Sequence, residues 1–291
     1  MKNPPPTSMT HEEKIIRWLP PGTGLIGAEI GAGDKPAPAL DPLPFYVDCF
    51  KTFGAAANRA DYYGHACALP FHTHSLDYVV ASHVLEHVAN PIAALAEWYR
   101  VVKPGGLIYL VVPNRRAAWD HRRELTTVAH LIDDFVQDTT ARDATHIEEF
   151  SENVDWSLFS PDTPEDEIPA QRAALARGLR ETIARGEEIN IHFHTFEPAN
   201  LRELLETLAA APVMPVVPRF HWEIVDFADG FPAATPNGVL AVLKVHKGWR
   251  ARADAAVFQI LAKDGRNSVL RADAQPFSEW AAKTSGLGGT R

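Results

Sequence analysis

The sequence predicts an α/β fold with a mostly parallel sheet, and three observations carry that expectation. Short apolar runs alternate with stretches of helical period. The first run, "LIGAEIGAG", ends in a glycine turn, as a buried parallel strand does on entering a loop. A later one, "LIYLVVP", follows a "KPGG" turn and closes at Pro113.

Taken in order, residues 1–9 are rich in proline and polar residues and read as a loose tail. Thr10 with Glu12 and Glu13 reads as a cap and acidic first turn of a short helix through Trp18, which "PPG" stops. "PFYVDCF" is a second short strand, ending at Asp48, and "SLDYVVASH" a third. "PIAALAEWYRVV" is a helix with Pro91 in its first turn. From residue 114 to about 190 the alternation breaks into polar, helical sequence, read as an insertion over the sheet edge. "EPANLRELLETLAA" then forms an amphipathic helix on Leu201, Leu204, Leu205 and Leu208. "FHWEIVDF" and "GVLAVLKV" read as an antiparallel closing pair. The expected divisions are 1–21, a core over 22–113, an inserted acceptor lid over 114–196, the rest of the core over 197–248, and a helical extension over 249–291.

The 291 residues are 46% apolar and 22% charged, ordinary for a soluble globular enzyme. A net charge of −9 weighs against a nucleic-acid partner, and no apolar run is long enough to span a membrane. Two cysteines and a start without an apolar h-region suit a cytoplasmic protein.

Gly31 and Gly33 follow the first strand directly, where glycine lets the backbone turn sharply and approach a ligand. The nicotinamide and flavin fingerprint fails, because its third glycine position is Pro36. Asp48, 15 residues beyond Gly33, suits a carboxylate accepting from two ribose hydroxyls, or one capping the following turn.

The glycine loop with its preceding Glu29, Asp48, "ACALPF", "SLDYVVASHVLEHVANP" and "EWYRVVKPGGLIYLVVP" occur in order. Together they resemble the class I S-adenosylmethionine-dependent methyltransferases, in particular the small-molecule branch with "LPF", "LEH" and "KPGG". The resemblance spans roughly residues 22–113 and implies a Rossmann-like seven-stranded sheet. It implies that Glu29, Gly31, Ala32 and Gly33 line the methionine part of S-adenosylmethionine, and that Asp48 takes the ribose. Cys49 would lie beside the adenine, with His65, Ala66 and Cys67 along its edge, and Ser82 and His83 under the sulfonium. Two departures are that the loop continues Asp34-Lys35-Pro36 where a further glycine is common, and that His65 replaces a common acidic residue.

The activity so implied is methyl transfer to an oxygen or nitrogen of a small polar acceptor, such as a sugar or glycosylated natural product. His121 is the first candidate base, followed by His83 and His194. Arg115, Arg116, Arg122 and Arg123 form the one basic patch and would bind an anionic group of the acceptor. If Trp119–Gln137 is helical, Thr126, His130, Asp133 and Asp134 share a side, as a pocket lid or a solvated face. His192 and His194 share a face of an extended segment, as base, ligand pair or hydrogen-bonding strand. His83, Glu86 and His87 sit where related methyltransferases carry a metal-binding "E-x-x-E-H". They would hold a divalent ion or simply shape the turn. A chain that kept the fold to bind cofactor without catalysis is the remaining alternative.

Overall fold

The computed structural model describes residues 9–53, 56–210, 217 and 219–247. The proline-rich start (1–8) and the extension over 249–291 lie outside these described residues. The chain begins with α1 (His11–Trp18), capped as expected: Thr10 Oγ1 accepts from Glu13 N, and the Glu13 carboxylate accepts from Thr10 N. Five strands follow: β1 (Gly27–Ile30), β2 (Phe45–Asp48), the short pair β3 (Thr52–Phe53) and β4 (Ala56–Ala57), and β5 (Tyr62–Tyr63). Then come β6 (Leu76–Ser82), α2 (Pro91–Val101) and β7 (Val102–Pro113). Four helices lie between β7 and the closing elements: α3 (Val128–Gln137), α4 (Ile147–Asn153), α5 (Trp156–Phe159) and α6 (Ile168–Ala184). Helix α7 (Pro198–Ala209) and strands β8 (Trp222–Phe231) and β9 (Gly238–Val245) complete the described fold.

Seven strands form one sheet in the order β5-β2-β1-β6-β7-β9-β8. The first five run parallel, and β9 inserts antiparallel between β7 and β8, the closing pair read from the sequence. This is the seven-stranded class I methyltransferase sheet. The order reverses at β1, so β1 and β6 open a crevice between them at their carboxyl ends, where α/β sheets bind ligands.

Apolar periodicity decides which helix covers which face. Leu95 and Trp98 of α2, Leu131 of α3 and Leu204 and Leu205 of α7 pack in one buried cluster with Val79, Ile108, Leu110 and Leu243 of the sheet. Each fully buried leucine contributes roughly 1.5–3 kcal/mol relative to exposure. On the other face, Ile15 and Leu19 pack with Tyr78, Val80 and Leu240. Lys14, fully buried there, is neutralised by Asp226 at 2.6 Å. A third cluster, with Ile147, Phe150, Trp156, Ile189 and Phe193, lies under the inserted helices. Among the described residues no helix is long and apolar enough to cross a membrane.

The expected helix over Trp119–Gln137 is shorter than its pattern suggests. It starts at Val128, because Thr127 accepts from His130 N at 3.2 Å and caps it. Residues 118–127 are irregular.

Candidate active site

A cavity of about 560 Å³ opens at the carboxyl ends of β1, β2, β6 and β7, within the size range of small-ligand sites. One end is lined by Gly31, Gly33, Asp48, Cys49, His65 and Ala66, and the middle by Ser82, His83, Glu86 and His87. The other end is lined by Trp119, Leu158, Asn190, His192 and Asn237. Eight of the residues expected to hold the cofactor thus line one cavity. Glu29, Ala32 and Cys67 are buried but do not line it.

The glycine loop is shaped as a ligand cradle. Gly31 has φ +64°, and an added Cβ would lie 2.6 Å from Val84 Cγ2, so no other residue fits without displacing β6's exit. Gly33 has φ +57° with nothing within 4 Å of an added Cβ, leaving its backbone bare. Beneath the loop, Glu29 accepts from Ala37 N at 2.7 Å through one oxygen, and its other oxygen has no hydrogen-bond partner among the described residues. Burial pushes its pKa up to about 7, against the Ala37 hydrogen bond and Arg59. Asp48 at the end of β2 accepts from Phe50 N at 2.8 Å. Burial raises its pKa as well, despite the hydrogen bonds it receives.

The turn after β6 brings charge to the middle of the cavity. His83 adopts φ +56°, a left-handed conformation sparsely used by non-glycine residues, and is held by its N–H on Val111 O at 2.9 Å. Its Nδ1 lies 3.5 Å from the fully buried Glu86 carboxylate, and His87 Nε2 lies 4.0 Å from it. Among the described residues neither Glu86 oxygen has a hydrogen-bond partner. Burial works against its charge, but His83, His87 and His192 together hold its pKa below the usual carboxylate value. Burial likewise pulls His83 toward its neutral form, and Glu86 outweighs this to raise its pKa.

The far end holds a buried Asp–His pair. His192 Nδ1 lies 2.5 Å from Asp120 Oδ2, and the ring packs beside Trp119 and His87. Asp120 also accepts from Arg123 at 2.8 Å. Desolvation would raise its pKa, but His192 and Arg123 bring it below the ordinary value. Arg123, 1% exposed, donates further to the carbonyls of His192 and Phe193 and pairs with Glu149. In the neutral ring, Nδ1 donating to Asp120 leaves Nε2 as the acceptor.

Other expected residues fall elsewhere. His121 is on the surface, with Nε2 at 3.0 Å from Asp155, and does not line the cavity. His194 is fully buried against Asp134 and Val88 O, and burial lowers its pKa to about 4. His192 and His194 do not share a face, because the segment is irregular and sends them to different carboxylates. The basic patch also needs correction as an anion site, since each arginine is taken by a carboxylate of the chain. Arg115 and Arg116 meet Glu197, Arg122 meets Asp155 and Arg123 meets Asp120 and Glu149. The Asp120–His192 pairing had no local signal, because 72 positions separate the two residues.

The sheet order and the glycine turn after β1 are those of a class I S-adenosylmethionine-dependent methyltransferase domain. Residues 30–110 match the family described as "Methyltransferase domain", and the chain carries a domain of that family. No curated protein matches the chain. Solved structures aligning with most of it include a chain in the complex of the Haloferax volcanii Trm112 methyltransferase activator with a methyltransferase. That match has 14% identity, covers 82% of this chain and 90% of that one, and has a TM-score of 0.44. A methyltransferase from Thermotoga maritima matches at 14% identity over 81% and 88%, TM-score 0.40. One from Mesorhizobium loti matches at 12% over 80% and 96%, TM-score 0.41. At these distances none of them informs the acceptor.

Proposed function

We infer that the enzyme methylates a hydroxyl oxygen of a small polar acceptor, with His192 as general base. The observation that carries this reading is the continuity of the cavity, which runs from the glycine cradle to His192, itself held by Asp120 behind it. The residues fit the cofactor: Gly31 makes the sharp turn against Val84, Gly33 leaves bare backbone, and Asp48 offers a carboxylate at the strand end. S-adenosylmethionine, when bound, supplies a methyl group activated by its sulfonium. The chain then has to exclude water, orient the acceptor and remove its proton. Trp119 and Leu158 give a partly apolar wall, and Asn190 and Asn237 give amide donors and acceptors that suit a polyhydroxylated ligand such as a sugar. His192 Nε2 takes the hydroxyl proton, and Asp120 stabilises the resulting imidazolium through Nδ1. Nitrogen acceptors fit the same arrangement where they lose a proton on methylation.

A second reading rests on Glu86. Its carboxylate, His87 and His192 place three ligand atoms within 4.8 Å of one another. A divalent ion there would lower the acceptor's pKa instead of a free imidazole.

The test is methyl transfer from methyl-labelled S-adenosylmethionine to a panel of sugars, glycosides and phenols, with primary amines as comparison. Label is expected in hydroxyl-bearing members. Label confined to amines, or to none, overturns the reading. Activity that needs added metal and is lost in Glu86→Gln favours the second.

A further inference from the structure

Outside the cavity, four side chains converge on a point between α3, the start of α4 and the segment before α7. His130 and Asp134 are one turn apart on α3, His146 precedes α4, and His194 comes from the irregular segment. The Nε2 atoms of His130, His146 and His194 lie 3.2, 3.5 and 2.9 Å from a single oxygen, Asp134 Oδ2. His130 Nε2 and His146 Nε2 are 3.0 Å apart.

The three rings thus turn their Nε2 atoms inward on one carboxylate oxygen. His194 Nδ1 faces the Val88 carbonyl at 3.2 Å, which can only accept, so that nitrogen carries the hydrogen. In a neutral ring, Nε2 then turns a lone pair on the Asp134 carboxylate, inside a site where His194 is fully buried. His130 and His146 present Nε2 to each other and to the same oxygen, so at least one of them also lacks a proton there. A cation at the centre resolves every one of these contacts. The four distances just given, and a spread of all four ligand atoms within 4.8 Å, suit a small ion, since ligands about 2.0–2.1 Å from a tetrahedral zinc lie about 3.3–3.4 Å from one another.

We propose that His130, Asp134, His146 and His194 form a tetrahedral site for a divalent transition metal of the zinc type. Three imidazoles and one carboxylate, without a thiolate, favour zinc or cobalt over magnesium or calcium. The outer ring nitrogens are already oriented, His194 Nδ1 by Val88 O and His146 Nδ1 by Thr145 Oγ1 at 2.9 Å. His130, with its side chain 48% exposed, gives a path from solvent. All four positions are protein ligands, so the metal is structural. It clamps the inserted helices to the segment that carries His192, two residues before His194.

Metal content of the full-length protein, measured by mass spectrometry after zinc loading and desalting, tests this. The expected result is retained zinc that survives Glu86→Gln, with affinity falling at least about 100-fold in His130→Ala, beyond the effect of losing a hydrogen-bond partner of one ligand. His130 is half exposed, so this variant folds even where Asp134→Asn or His194→Ala does not. Cobalt(II) loading is expected to give the intense visible bands of a tetrahedral ion in wild type and Glu86→Gln, and not in His130→Ala. Zinc-free wild-type protein, zinc unaffected by His130→Ala, or zinc lost with Glu86→Gln alone overturns the site. None of these readouts depends on methyl transfer.

Discussion

Replacing His192 with asparagine is expected to lower kcat by about 10²–10⁴, the usual contribution of a positioned general base, and to leave S-adenosylhomocysteine affinity unchanged. The reason is geometric. The Asp120 carboxylate, 2.5 Å from Nδ1, selects the tautomer whose Nε2 can take a proton. Asparagine keeps polarity and approximate volume but cannot accept a proton at neutral pH. Asp120→Asn is expected to act in the same direction, because its amide can donate to Nδ1 and so stabilise the opposite tautomer. Steady-state kinetics with a labelled acceptor check both variants. A fall in kcat without a matching change in cofactor affinity is the signature, and an unchanged kcat in His192→Asn contradicts the assignment of the base.

Arg123→Ala is expected to cost about 3–5 kcal/mol of stability, the range for removing one partner of a buried ion pair. Arg123 is 1% exposed and pairs with Asp120 at 2.8 Å. It also donates to the His192 and Phe193 carbonyls, and its guanidinium lies over the Phe150 ring at 5.2 Å. Alanine removes all of these together and leaves two buried carbonyls short of donors. Arg123→Lys is expected to recover only part of the loss, because an ammonium cannot reproduce the planar fork. Urea unfolding measures both, with the midpoint falling at nearly constant slope. A loss below about 1 kcal/mol, typical of an exposed pair, would show that this network is not what holds the insertion.

The sheet and the glycine turn after β1 were legible in the sequence because their signals are local. Apolar runs of four to seven residues end in Gly31, Asp48 and Ser82, and each end is where a strand delivers its next residue to the cavity. The far end was not legible, because its pairs are distant in sequence. Asp120 meets His192, Arg123 meets Glu149, and Arg115 meets Glu197. Four arginines in nine positions look like a basic patch until those carboxylates are in place. The amphipathic pattern from Trp119 extended the α3 helix too far, because periodicity does not show where Thr127 takes over as cap. His146 carried no signal, since one histidine ahead of "IEEF" reads only as a helix start. The position of His83 was legible, but not its left-handed backbone.

The most direct measurement is calorimetric titration of the full-length wild-type protein and Asp48→Ala with S-adenosylhomocysteine. Binding at one site per chain in wild type, weakened about 10–100-fold in the variant by loss of hydrogen bonds to a charged carboxylate, is the expected result. Wild-type protein that fails to bind, or a variant that binds with equal affinity, would contradict a methyl-transfer site at the carboxyl ends of β1 and β2.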